Sequence, residues 1–235
     1  DQIVINGQKT FTSNGINCGL IVLAVRDPAA EDPYQAIDLV LVEDGTPGFE
    51  KGQRIRKVGW HSQDTAELFF NDCRVPAENR LGQKGTGFLM MMQKLQQERL
   101  VCALAAVAAA EFMLEITTGY VKERKAFGRP ISKFQNTRFR MVEMATEIAL
   151  GRTFIDKLIV DHIEGQNVVK EVSMAKYWCT EMAKRVADQC VQLHGGYGYC
   201  EEYPIARAWR DVRVMSIFAG TNEIMKTIAA KAMGL

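Results

Sequence analysis

The sequence predicts an α+β chain in two parts, an all-β module over residues 1–80 followed by a bundle of helices over 81–235. Short β-rich runs set apart by turn dipeptides fill the first part, and stretches with helical periodicity fill the second. The composition changes near residue 80, where one pattern gives way to the other.

The strands come first in order. Residues 3–5, 20–26, 37–43 and 66–70 are rich in β-branched and large apolar side chains, and Asn6-Gly7, Asn14-Gly15, Asp44-Gly45 and Pro47-Gly48 mark turns between them. Helical periodicity then runs over 87–125, 133–164, 168–193 and 222–233. Its breaks are Gly128-Arg129-Pro130, Glu164-Gly165 and Gly195-Gly196. Long helices with short links make a bundle. No internal repeat or low-complexity segment interrupts either part.

Composition excludes several classes of function. Lys and Arg total 29 against 28 Asp and Glu, a formal charge of +1, and the densest basic cluster, 122–129, is broken by Glu123 and Phe127. No nucleic-acid partner is expected. The six cysteines fall at irregular spacings without a Cys-x-x-Cys pair, and only three histidines are present, so no metal site is expected and the thiols read as reduced, as in a cytosol-like compartment. The longest apolar run, 100–110, is bounded by Glu98, Arg99 and Glu111. It falls short of the roughly 20 residues of a membrane span, so no membrane insertion is expected. Asp1-Gln2-Ile3-Val4 reads as the approach to a strand and not as a signal peptide.

Several segments could carry chemistry. Leu95, Glu98, Arg99 and Cys102 share one helical stripe, so an adjacent acid and base lie beside apolar side chains. The pair either sits at the edge of the face, solvated or bonded to neighbouring helices, or supplies a general base whose pKa is raised by desolvation. Residues 192–199 follow a long helix. Gly195 and Gly196 are either a C-cap or a place where a flat ligand meets bare backbone, with Gln192 offering an amide to a base edge. His194 reads as a core histidine and is assigned no role. Gly220-Thr221-Asn222 precedes a helix, where Thr221 or Asn222 caps and the free N–H groups could bind an anion. Arg124-Lys125-Ala126-Phe127-Gly128-Arg129-Pro130 reads on its own as a basic helix end with a Gly-Pro stop.

These segments occur together and in one order. With Lys9-Thr10-Phe11-Thr12-Ser13-Asn14-Gly15, the run 59–68, Val75-Pro76, Leu81-Gly82 and Gly85-Thr86-Gly87-Phe88, they resemble the acyl-CoA dehydrogenase family, above all its long-chain and isovaleryl-type branches. The resemblance spans residues 1–235. It implies a middle β-barrel domain over 1–80 and a C-terminal four-helix bundle domain over 81–235, in a family that is usually homotetrameric. It also implies a further helical domain and a flavin-contacting loop ahead of the barrel, neither of which matches any part of residues 1–235.

The same resemblance implies FAD as cofactor and an acyl-CoA as substrate. Phe11, Thr12 and Ser13 would line the flavin ring, and Arg124 and Phe127 would reach the cofactor of a neighbouring subunit. Gln135, Gln192, Gly195 and Gly196 would accompany the adenosine half, while Thr221 and Glu223 complete the site. Phe11 is often tryptophan in the family and Glu223 often glutamine, a change that adds negative charge near phosphate. Most branches place the catalytic glutamate just before the Gly-Thr pair, where this chain has Ala219. The two branches named above carry the base on the helix of Glu98, so Glu98 is the expected base, with Arg99, Ala219 and Gly220 beside the substrate. The implied reaction is α,β-dehydrogenation to a trans-2-enoyl thioester, with an electron-transfer flavoprotein as acceptor. The compartment would be the cytoplasm in a bacterium or the mitochondrial matrix in a eukaryote. A flavin oxidase using oxygen, or a self-associating scaffold without activity, are the alternatives, and the acyl chain length stays open.

Overall fold

Runs of β-branched and apolar side chains between turns build the first part of the chain. In a computed structural model describing residues 1–235, the chain divides into two units, 1–94 and 95–235. The first carries β1 (Gln2–Ser13), β2 (Leu20–Arg26), β3 (Ile37–Glu43), β4 (Phe49–Arg54), β5 (Thr65–Pro76) and β6 (Arg80–Leu81). They form two antiparallel three-stranded sheets, ordered β1-β5-β4 and β2-β3-β6. Ile5, Phe49, Leu68 and Val75 from one sheet meet Leu23, Val40 and Val42 from the other in a single core. The expected barrel thus takes the form of two sheets about one core. Between the edge strands β1 and β2 lies a cavity of about 660 Å³, and Lys9 Nζ donates to the Ala24 carbonyl beside it (2.9 Å).

Several features depart from the sequence expectation: β5 runs on to Pro76, past the expected 66–70, and the short β6 is additional. Asn6-Gly7 does not turn the chain; β1 runs through it, and the pairing shifts between Ile5 and Gly7. The Asn6 side chain satisfies the irregularity by accepting from the Asp72 N–H (2.8 Å) and donating to its carboxylate (3.1 Å). Strand β4 is additional, because Glu50, Lys51, Gln53 and Arg54 lack an apolar alternation. It pairs with β5 alone, and a polar edge strand needs only one apolar anchor, here Phe49.

The second unit is helical. Helix α1 (Gly87–Glu123) starts in the first unit, and α2 (Gln135–Ile163), α3 (Val169–His194), α4 (Pro204–Val212) and α5 (Asn222–Ala232) follow. The expected helices match within about two residues at each end, the usual uncertainty of helix termini. Helix α4 is additional: it is short, and Pro204 at its first turn fits the position where a missing N–H costs nothing. Helix α3 packs against α2, α4 and α5 and buries a stripe of Val172, Ala175, Lys176, Cys179, Ala183 and Val186.

Helix α1 as a whole is long and apolar enough to cross a membrane, although its longest uninterrupted apolar run is not. Ala103, Ala106, Val107, Ala110 and Met113 are fully buried, the pattern of a helix inside a bundle core. All six cysteines are free thiols.

Candidate functional site

The acid–base pair of α1 separates in space. Glu98 is exposed and so lacks the desolvation expected of it as a base, whereas Arg99 turns inward at 8% exposure. Its Nε donates to the carbonyl of Ala219 (3.3 Å). Burial pulls the Arg99 pKa below its usual value, and the Glu98 carboxylate next to it offsets part of that pull. The α1 turn carrying Glu98 is therefore bonded to the turn 219–221, which has no carboxylate of its own.

That turn is tightly wound. Ala219 and Gly220 both have positive φ, 54° and 90°. A Cβ on Gly220 would sit 2.8 Å from Met225 Cε, so glycine serves both the conformation and the space. Thr221 then caps α5, accepting from the Ile224 N–H (3.4 Å). The N–H of Glu223 and the Thr221 hydroxyl hold the Glu223 carboxyl below the usual range.

Beneath the turn lies a residue outside the sequence expectations. Lys176 of α3 is 0% exposed, and its Nζ donates to the Gly220 carbonyl (2.7 Å) and to Asn222 Oδ1 (3.1 Å). The Asn222 amide in turn donates to Thr180 Oγ1 (3.0 Å) and Glu181 Oε1 (2.7 Å). Burial lowers the Lys176 pKa; Arg99 lowers it further, while Cys102, Glu223 and Glu181 act against them. A signal for it exists in the sequence, since Val172, Lys176, Cys179 and Ala183 put a lysine on the apolar stripe of α3.

A second group of expected residues also meets within this unit. Arg124, Gln192, Gly195 and Gly196 line one cavity of about 550 Å³ with Tyr120 and Tyr197. The Arg124 guanidinium lies 5.4 Å from the Tyr197 ring centre. A Cβ at Gly195 or Gly196 would meet no atom within 4 Å, so bare backbone faces the open space. An exposed guanidinium, an amide and uncovered backbone make a donor set suited to a phosphate and a base edge. His194 stands behind it as a core residue. Its Nδ1 bonds the Cys190 carbonyl (2.8 Å), its ring stacks on Tyr120 at 4.2 Å, and burial lowers its pKa.

The segment 124–130 is more than a helix stop. Lys125–Ala126 and Arg129–Pro130 pair as β7 and β8 of a two-residue hairpin. Phe127 and Gly128 form its tip at φ 51° and 78°, the signs a type I′ turn requires. Phe127 is left 95% exposed, and Gln135 opens α2 on the surface nearby in sequence.

In the first unit the pairing shifts between Lys9 and Thr12, and Phe11 takes φ 60° with its ring 75% exposed. Thr12 and Ser13 end the strand. Buried Asp64 holds the loop that follows, accepting from Ile16 N–H and Asn17 Nδ2, each at 2.7 Å. Phe11, Phe127 and Ala219 are three of the four residues at positive φ that are neither glycine, asparagine nor aspartate; Trp60 is the fourth. Such backbone strain concentrates at functional sites.

A two-sheet β unit followed by a helical unit, with an acid-bearing helix bonded to a capped glycine turn, defines a class of helical-bundle proteins with a candidate anion and nucleotide cavity. Residues 1–73 match the family model for the acyl-CoA dehydrogenase middle domain, and residues 85–234 match that for the C-terminal domain. The chain belongs to the acyl-CoA dehydrogenase family. It is 48% identical over 229 residues to the mitochondrial long-chain specific acyl-CoA dehydrogenase of Sus scrofa, covering 97% of this chain and 53% of that protein. The crystal structure of an acyl-CoA dehydrogenase from Geobacillus kaustophilus superposes with a TM-score of 0.98 at 59% identity, over 100% of this chain and 62% of that one. Butyryl-CoA dehydrogenase from Megasphaera elsdenii gives 0.95 at 35% identity, over 100% and 61%. The chain thus spans about half to three-fifths of the length of the relatives it matches.

Proposed function

We propose that this chain is the catalytic core of an FAD-dependent dehydrogenase that converts an acyl-CoA thioester to its trans-2-enoyl product. The observation that carries this reading is the Arg99–Ala219 hydrogen bond. It ties the helix of Glu98 to the turn where most family branches carry their catalytic acid and this chain carries a methyl group.

The residues present fit the cofactor: Arg124, with Phe127, would reach the cofactor of a neighbouring subunit and pair with its pyrophosphate, Gln192, Gly195, Gly196 and Gln135 would accompany the adenosine half, and Thr221 and Glu223 would complete the site. Phe11, Thr12 and Ser13 are the proposed contacts with the flavin ring. When bound, FAD supplies the acceptor for the hydride leaving the substrate's β-carbon. The Glu98 carboxylate takes the α-proton. That proton is weakly acidic, and its removal needs donors aimed at the thioester oxygen. The N–H of Ala219 is the proposed donor from this chain, and Arg99 and Gly220 fix the turn that aims it. An electron-transfer flavoprotein is the proposed electron acceptor and a homotetramer the proposed assembly.

Anaerobic addition of acyl-CoA to the full-length, flavin-loaded protein tests the reading. Bleaching of the yellow colour with release of enoyl-CoA is expected, followed by recovery with electron-transfer flavoprotein faster than with oxygen. A protein that takes up no flavin, or whose colour does not respond to any acyl-CoA of a chain-length panel, overturns it. Faster recovery with oxygen would make it an oxidase.

A further inference from the structure

Two buried cations hold two successive carbonyls of one turn. Arg99 bonds Ala219 and Lys176 bonds Gly220, and both carbonyl-bearing residues lie at positive φ. An L-alanine keeps that conformation only under constraint. The two acceptors of Lys176 are neutral, a backbone carbonyl and the Asn222 amide oxygen. Burying an ammonium against neutral groups is costly, and an apolar side chain in its place would leave the Gly220 carbonyl and Asn222 Oδ1 without this donor.

We propose that Lys176 is a positioning residue for dehydrogenation. By fixing the Gly220 carbonyl while Arg99 fixes that of Ala219, it sets the orientation of the turn and so the aim of the Ala219 N–H at the thioester oxygen. The inference rests on the function proposed above. Lys176 does not touch substrate; it acts through the peptide groups of the turn. The lowered pKa agrees with a group held in place at the expense of its hydration.

The test uses the full-length, FAD-loaded enzyme with the variants Lys176→Met, Lys176→Gln and Met144→Ala. Met144 packs 3.8 Å from Cys190, which lies further along α3 by about 20 Å at 1.5 Å per residue, so its truncation loosens the core away from the turn. For Lys176→Met, kcat is expected to fall about 10- to 100-fold, as for a misaligned oxyanion donor, while KM changes less than about 3-fold. Lys176→Gln, which keeps an N–H for Gly220, should recover part of the loss. The infrared carbonyl stretch of a bound 13C-labelled acyl thioester should sit at lower frequency in the wild type than in Lys176→Met, because the donor is no longer aimed. Met144→Ala should lower Tm but leave kcat and the carbonyl band unchanged.

Wild-type kcat and carbonyl frequency in Lys176→Met would overturn the inference. So would an equal loss of kcat in Met144→Ala, or failure of both Lys176 variants to fold with flavin, since either leaves Lys176 a folding role alone. A wild-type enzyme that acyl-CoA does not bleach would overturn the proposed function itself, before Lys176 comes into question.

Discussion

Arg99 and Ala219 stand 120 residues apart in the chain and are joined by a hydrogen bond from Nε to the carbonyl, at 3.3 Å. The guanidinium is buried and the neighbouring Glu98 carboxylate exposed, so the two charges of one helical turn do different work. Arg99 anchors the turn, and Glu98 faces outward, where the proposed base would meet its substrate.

Glu98→Gln in the full-length protein is accordingly expected to retain FAD and to lose dehydrogenation by at least roughly 100-fold, the scale of removing a general base. Anaerobic bleaching rates measure it. Turnover near that of the wild type would refute the assignment of the base.

Arg124 is exposed and its guanidinium lies over Tyr197 at the edge of the cavity, so little of the fold depends on it. Arg124→Ala should leave stability within about 0.5 kcal/mol, as for most surface substitutions, yet loosen the flavin. Gel filtration followed by visible absorbance reads the outcome, and full retention of the colour would count against its role.

Gly196 offers a sharper separation of binding from folding. A Cβ there meets nothing within 4 Å, and its φ is not among the positive ones. Gly196→Ala should therefore leave stability within about 1 kcal/mol, because the added Cβ meets no atom and alanine is no worse than glycine in a helical turn. Flavin affinity should fall about tenfold or more, because the side chain fills space that the ligand needs. Titration of apoprotein with FAD measures it; unchanged affinity would remove Gly196 from the site.

Acid should weaken the fold partly through His194. Its pKa is lowered by burial, so the unfolded chain binds a proton that the folded chain refuses. Stability is complete above the ordinary histidine pKa, about 6.5, and is lost as pH falls from there through the lowered folded value. His194→Gln should flatten the fall of Tm between about pH 7 and pH 5. An identical pH profile in the variant would show that other groups carry the acid sensitivity.

The parts of the fold that are legible in the sequence are those governed by local periodicity. Strands β2 and β3 follow from their β-branched and apolar runs between turn signals, and the four expected helices from helical spacing. Strand β4 and the hairpin at Phe127 are not legible. The first is a polar edge whose pairing depends on β5, and the second puts a phenylalanine where a turn of that type ordinarily takes asparagine or glycine.

The candidate site divides in the same way. Sequence alone determined which residue types were available: a carboxylate on the first bundle helix, a turn with alanine in place of acid, and a guanidinium, an amide and paired glycines for a nucleotide. Only the tertiary structure decided that Arg99 points inward and Glu98 outward, that Lys176 lies beneath Gly220, and that Arg124 shares a cavity with Gly195. The physical reason is that contacts between segments far apart in the chain set partners and desolvation; spacing can put Lys176 on an apolar stripe of α3, but not beneath Gly220.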